Sequence, residues 1–206
     1  MSQQALEHFD KVLQYLVDNQ LGKLTHDQQF IRDRAHELIK QCLTDVSTEP
    51  KLSILPPAYV LGHTQSGKSL ILSFIAVAFA VSQGMSVLYL ACTKRQRVKW
   101  LKHTTEILRF LMNEDSKFPI QNMLSNEEMV QVMMGEKRAF IESQKLDDLL
   151  RGTGHAIQMV LLDDYKILSQ QTLDRTIKYL QVMNPRLFLI GVDRLDETTE
   201  LKEQDL

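Results

Sequence analysis

Gly62-His63-Thr64-Gln65-Ser66-Gly67-Lys68-Ser69 reads GxxxxGK[ST] without a gap. Backbone N–H groups that must converge on phosphate oxygens need residues tolerant of unusual dihedrals, and a following helix N-terminus adds partial positive charge. Lys68 supplies an ammonium for the β- and γ-phosphates and Ser69 a hydroxyl for Mg²⁺, so the ligand expected at residues 62–69 is ATP with Mg²⁺. Hydrolysis also needs a carboxylate near the metal and one to orient water. The run Met159-Val160-Leu161-Leu162-Asp163-Asp164 supplies both. Asp163 is expected to bind Mg²⁺ together with Ser69, and Asp164 to polarise the attacking water. Lys68, Asp163 and Asp164 are therefore the candidate catalytic residues.

The elements that position these groups follow from periodicity. Leu6, Phe9, Leu13, Leu16 and Val17, then Phe30, Ile31, Ala35, Leu38, Ile39 and Cys42, repeat at helical spacing, which predicts two amphipathic helices joined near Leu21-Gly22. Pro50, Pro56 and Pro57 lie in a loop that follows. From Ala58 the pattern becomes strand, glycine loop, helix to about Val81, and strand Ser86–Cys92, a crossover unit that favours a parallel sheet. A helix from about Arg95 to Leu111 comes next. Ser125 and Glu128 read as a capping box for another helix, into which Met123, Met129, Met133 and Met134 would pack. The strands RAFIES, IQMVLLDD and RLFLIGV, with a helix over about 170–183 between the last two, complete the chain. Continuous apolar strands are those covered on both faces. The expected class is α/β, a P-loop NTPase with a mostly parallel central sheet flanked by helices and preceded by two N-terminal helices. The expected division is a helical segment over 1–50 packed on a single ATPase core over 51–206.

Composition excludes little but excludes it clearly. The chain of 206 residues is 44% hydrophobic and 24% charged, with a formal net charge of -2, ordinary values that point to local rather than global basic surface. Its two cysteines, Cys42 and Cys92, have no zinc or disulfide spacing. The N-terminus lacks signal-peptide character, and the apolar run Leu70–Val81 is too short to span a bilayer. A soluble, intracellular protein with no membrane partner is expected, in the cytoplasm or, for a nuclear virus, in the host nucleus.

A second chemical cluster is Thr93-Lys94-Arg95-Gln96-Arg97-Val98-Lys99-Trp100. It follows a core strand at the sheet end where ligands gather, and its cations suit phosphates without reading bases. Thr93, Lys94, Arg95 and Arg97 are the candidate nucleic-acid contacts. His63 and His155 lack metal-ligand spacing and read as structural or surface residues.

Leu149-Leu150-Arg151-Gly152-Thr153-Gly154-His155-Ala156-Ile157-Gln158, running into MVLLDD, resembles the Arg-Gly approach to the acidic strand in the ATPase domain of large terminase subunits. These are the DNA-packaging motors of tailed phages and herpesviruses, within the additional-strand P-loop NTPases that also include helicases. VLYLACTK is similar to the family's strand ending in a threonine beside the DNA path, and the segment LSQQTLDRTIKYLQVMNPRLFLIGV looks like the one that follows its acidic strand. The resemblance implies ATP hydrolysis coupled to translocation of double-stranded DNA, in a homo- or hetero-oligomer with other packaging or motor subunits. It gives Gln28 or Gln29, with Gln29 the one assigned, the part of a glutamine that contacts adenine, and makes Arg151 the candidate arginine finger. Asp163-Asp164 stands where the family usually has Asp-Glu, and His63, Thr64 and Gln65 occupy places where many terminases carry an arginine. No nuclease domain is expected within residues 1–206. The alternatives are a helicase-type NTPase domain acting on nucleic acid and a non-catalytic, nucleotide-dependent regulatory subunit.

Overall fold

The computed structural model describes residues 3–44, 58–62, 66–114, 117–118, 120–145, 157–164, 170–183 and 188–194. Helices α1 (Gln3–Gln20) and α2 (His26–Thr44) precede strand β1 (Ala58–Gly62), helix α3 (Lys68–Gln83), strand β2 (Ser86–Ala91) and helix α4 (Lys94–Asn113). Strands β3 (Asn122–Ser125), β4 (Met129–Met134), β5 (Lys137–Lys145) and β6 (Ile157–Asp163) come next, then α5 (Gln170–Met183) and β7 (Phe188–Arg194).

The strands form one seven-stranded sheet in the order β1-β7-β6-β2-β5-β4-β3. The five from β1 to β5 in that order run parallel, and β4 and β3 extend the β5 edge as antiparallel strands. The last strand in the chain thus lies between the strand that leads into the glycine loop and the strand that carries the acidic pair. Because β1, β6 and β2 are parallel, their C-terminal ends open on the same edge of the sheet, where loops can converge on one ligand.

Both faces of the central strands are covered. Val87, Tyr89, Met159, Leu161, Ile190 and Val192 join the large core beneath α1 to α4. Leu88, Leu90, Val160, Leu162 and Leu189 form a smaller core on the opposite face, with Tyr179 of α5 against it. Double burial is the reason β2 and β6 are continuous apolar runs. Helix α3 is buried almost all round, because α1, α2 and α4 pack on it as well as the sheet. Burying a single large side chain such as Phe74 or Phe79 contributes about 1.5–3 kcal/mol, so this helix anchors the glycine loop on a rigid base.

One expectation fails. The segment after residue 120 is a β-meander and not a helix, so the methionines expected in a helix lie on strands. Val130, Val132 and Met134 are buried while Met129, Gln131 and Met133 are half-buried, the period-two signature of a strand. Ser125 and Glu128 do not make a helix cap. Between them Asn126 Oδ1 accepts from the N–H groups of Glu128 at 2.9 Å and Met129 at 2.8 Å, a side-chain turn that reverses the chain into β4.

Candidate functional site

The described part of the glycine loop enters α3 through Gly67, whose φ of 80° is left-handed, a conformation that strains any residue with a Cβ. No side chain caps this helix, and the first-turn N–H groups of Lys68 and Ser69 lie at its positive end. A Cβ at position 67 would also meet the amide nitrogen of Gln28. The backbone requires glycine there, and a Cβ would also displace the Gln28 amide from the loop.

Gln28 comes from the start of α2. Its Oε1 accepts from Thr25 N–H at 2.9 Å, while its Nε2 donates to the Gly67 carbonyl at 3.3 Å. The Thr25 hydroxyl in turn donates to the Ser66 carbonyl at 3.2 Å. Of the two upstream glutamines it is therefore Gln28 that touches the phosphate loop. The Gln29 amide donates to both oxygens of Asp33 at 3.1 and 3.2 Å. One position along a helix turns a side chain by about a quarter of a revolution, enough to separate them.

Lys68 and Ser69 begin α3, and both Lys68 and Asp163 are buried. Ser69 Oγ donates to Asp163 Oδ2 at 2.6 Å, joining the phosphate loop to the end of β6. The same Oδ2 accepts the Tyr89 hydroxyl, also at 2.6 Å. The Tyr89 ring stacks on Trp100 of α4 with centroids 4.0 Å apart and planes 3° from parallel. Burial holds the Asp163 carboxyl above its ordinary pKa; the donors Ser69 and Tyr89 and the Lys68 charge oppose that shift, and Asp164 adds to it. Burial and the Asp163 and Asp164 charges push the Tyr89 phenol well above its ordinary value, so Tyr89 is a proton donor in this contact.

Asp164 follows with φ of 56°, the positive value found at a non-glycine residue among those described. Its N–H donates to the Val192 carbonyl of β7 at 3.0 Å. Its Oδ2 accepts from Gln96 Nε2 at 2.6 Å. Gln96 is the third residue of α4, and its Oε1 accepts from the Thr93 N–H at 3.1 Å and hydroxyl at 2.8 Å. Thr93 and Gln96 thus make a capping box, and Thr25 and Gln28 repeat the arrangement at α2. In each, the carbonyl end of the glutamine caps a helix and the amino end reaches into the site.

Ser66–Ser69 of the phosphate loop, the acidic pair and α4 line a half-open cavity of about 670 Å³, walled on the α4 side by Gln96, Lys99, Trp100 and His103. That volume suits a nucleotide-sized ligand. Burial lowers the His103 pKa, so its ring favours the neutral form. Outside the cavity Lys94 and Arg95 are exposed on the first turn of α4. Arg97 stands apart from them, with Nη1 donating to the Ser143 carbonyl of β5 at 3.4 Å. His63, Thr64, Gln65 and Arg151 lie outside the described residues, as does His155; Gly62 ends β1 in register with Arg194. Tyr89, Gln96 and Trp100 escaped the sequence reading as site residues. The T-x-x-Q spacing at Thr25–Gln28 and Thr93–Gln96 was the signal available for two of the contacts.

No protein-family model matches the sequence, and no curated protein does. Solved structures do. An arginine-to-alanine mutant of the large terminase ATPase domain of Thermus phage P74-26 aligns with a TM-score of 0.61 and 16% identity, covering 85% of this chain and 67% of that one. Another structure of that domain aligns at 0.59 with 17% identity and the same coverage. The chain has the fold of a large-terminase ATPase domain: a mostly parallel sheet flanked by helices. No helix among the described residues is long and apolar enough to cross a membrane.

Proposed function

We propose that this chain is a motor domain of the DNA-packaging terminase type, binding and hydrolysing ATP and coupling hydrolysis to translocation of double-stranded DNA. The observation that carries the reading is the contact of Ser69 with Asp163 at 2.6 Å. It joins the lysine-serine end of a phosphate loop to a carboxylate at the end of a parallel strand, in a fold shared with terminase ATPase domains.

The residues fit the ligand. The motif over residues 62–69 is the one that holds phosphates in P-loop proteins, with Lys68 directed to the β- and γ-oxygens. Ser66 Oγ is buried with no hydrogen-bond partner among the described residues, a polar atom that a phosphate oxygen would satisfy. Ser69 and Asp163 present hard oxygen donors suited to Mg²⁺. The described residues contain no cluster of three or more metal-ligating side chains, and Mg²⁺ in nucleotide sites needs only one or two carboxylates beside phosphates and water. When bound, the cation neutralises charge on the phosphate oxygens. Asp164 orients the attacking water and accepts its proton. Gln29 is the adenine contact that the resemblance assigns, and Gln28, whose amide donates to the Gly67 carbonyl, supports the phosphate loop. Lys94 and Arg95, exposed on the first turn of α4, are the contacts for the polymer; Thr93 caps α4, and Arg97, which donates to the Ser143 carbonyl, contributes less. Arg151, or an arginine of a neighbouring subunit, completes the charge on the transferred phosphoryl group, a contribution of about three to five orders of magnitude in rate.

Steady-state ATP hydrolysis with and without double- and single-stranded DNA tests this. Hydrolysis stimulated by duplex DNA is the expected result. Stimulation by single strands alone transfers the chain to the helicase-type NTPases. Tight ATP binding with no hydrolysis under any condition makes it a nucleotide-dependent regulatory subunit.

A further inference from the structure

We infer that Gln96 is a positioning residue that ties the Asp164 carboxylate to the first turn of α4, so that the turn carrying Lys94 and Arg95 and the water-orienting group move together. The inference rests on Asp164 having the role proposed above.

The hydrogen bonds define the tie. The Gln96 carbonyl oxygen accepts from Thr93 N–H and Oγ–H, and its amino group donates to Asp164 Oδ2 at 2.6 Å. Rotating the amide by half a turn would set its NH₂ against two donors and its oxygen against a carboxylate, so the network selects this orientation. Asp164 is held from two sides. Its backbone N–H is bound to β7 through the Val192 carbonyl, and its side chain is bound to α4. A left-handed aspartate, here with φ of 56°, costs free energy and persists only where the surroundings over-determine it.

The consequence for chemistry is geometric. A base must stay within hydrogen-bond reach of the water it activates, and a displacement of about 1 Å at a reacting group can cost about a hundredfold in rate. Asp164, one methylene shorter than glutamate, has little reach of its own. Gln96 supplies the second anchor that a short side chain needs. Lys94 and Arg95 are exposed two residues and one residue before it, at a helix N-terminus where a polyanion is favoured. A phosphate backbone seated on that turn therefore acts on Asp164 through one side chain.

Two variants of the full chain separate this role from helix capping. Gln96→Glu keeps an oxygen for the Thr93 N–H, as in the usual capping box, but turns a carboxylate toward Asp164. Gln96→Ala removes both contacts. With melting temperature and Trp100 emission verifying the fold, both variants are expected to bind a fluorescent ATP analogue within about threefold of the parent, to lose about tenfold or more in kcat, and to show a duplex-DNA stimulation ratio near one. Adding Gln96→Ala to Asp164→Asn is expected to lower kcat by no more than about twofold further, because a residue acting through Asp164 has nothing left to position. The inference is overturned if Gln96→Glu retains the parent kcat and stimulation, or if Gln96→Ala costs the same factor in both backgrounds. A parent that binds the analogue and hydrolyses no ATP overturns the role of Asp164 itself, and does so without any variant.

Discussion

The Tyr89 hydroxyl on β2 and the Asp163 carboxylate at the end of β6 are joined by a 2.6 Å hydrogen bond, although the residues are 74 positions apart in sequence. Adjacent parallel strands bring them together: β2 pairs with β6 in a register that sets Leu90 beside Leu162. The phenol shares Oδ2 with the Ser69 hydroxyl, so one oxygen holds the loop, the sheet and, through the Tyr89–Trp100 stack, helix α4.

Tyr89→Phe keeps the stack and removes the donor. A hydrogen bond to a charged group contributes about 1.5–3 kcal/mol, and the variant is expected to lose stability on that scale at neutral pH. The Tyr89 bond lowers the pKa of Asp163 against the upward push of burial. Its contribution is therefore present where the carboxyl is ionised and is lost as pH falls through the carboxyl range. The difference in melting temperature between parent and variant should shrink on acidification, and more Mg²⁺ should be needed for tight ATP binding. Equal Mg²⁺ titrations for the two proteins would remove Tyr89 from the site.

Lys68→Ala is expected to weaken ATP binding by at least about a hundredfold while leaving the fold intact, because the loop loses a buried cation directed at the phosphates. Calorimetric titration with ATP in a variant of unchanged circular dichroism checks it. Unchanged affinity would mean the phosphates are held elsewhere.

The acidic pair should split by position. Asp164→Asn keeps the backbone geometry, since asparagine tolerates a positive φ, and is expected to bind Mg-ATP with a kcat lower by about a hundredfold or more. Asp163→Asn should instead raise the Mg²⁺ concentration needed for tight binding. Parallel titrations of nucleotide and metal, read beside kcat, distinguish the two; parent-like kinetics in both would make the pair structural.

On α4 the cations should separate into two groups. Lys94→Gln with Arg95→Gln is expected to weaken binding to duplex DNA evenly across sequences and to flatten the dependence on salt by about two counterions. Arg97→Gln, whose side chain donates to the Ser143 carbonyl, should change the salt slope less and the melting temperature more. Filter binding across a salt series gives the slopes, and an unaltered slope for the first pair returns that turn to an ordinary solvated face.

From the sequence by itself came the glycine loop with Lys68 and Ser69, the apolar strand ending in Asp163 and Asp164, the strand-helix-strand unit around them, and the α/β class. These are local patterns: contiguous residue types at a spacing that the backbone geometry of one turn, strand or helix converts directly into position. The β3–β4 hairpin was written there too, in the alternation of Val130, Val132 and Met134, but Ser125 and Glu128 offered a competing helix signal, and Asn126 decided the turn. Only the tertiary structure placed β7 between β1 and β6, chose Gln28 over Gln29 as the loop's neighbour, and delivered Tyr89 and Gln96 to the two carboxylates. Those contacts depend on strand order, parallel register and the angle at which a helix leaves the sheet, and the burial summed over the whole core selects these, whereas no short stretch of residues encodes them.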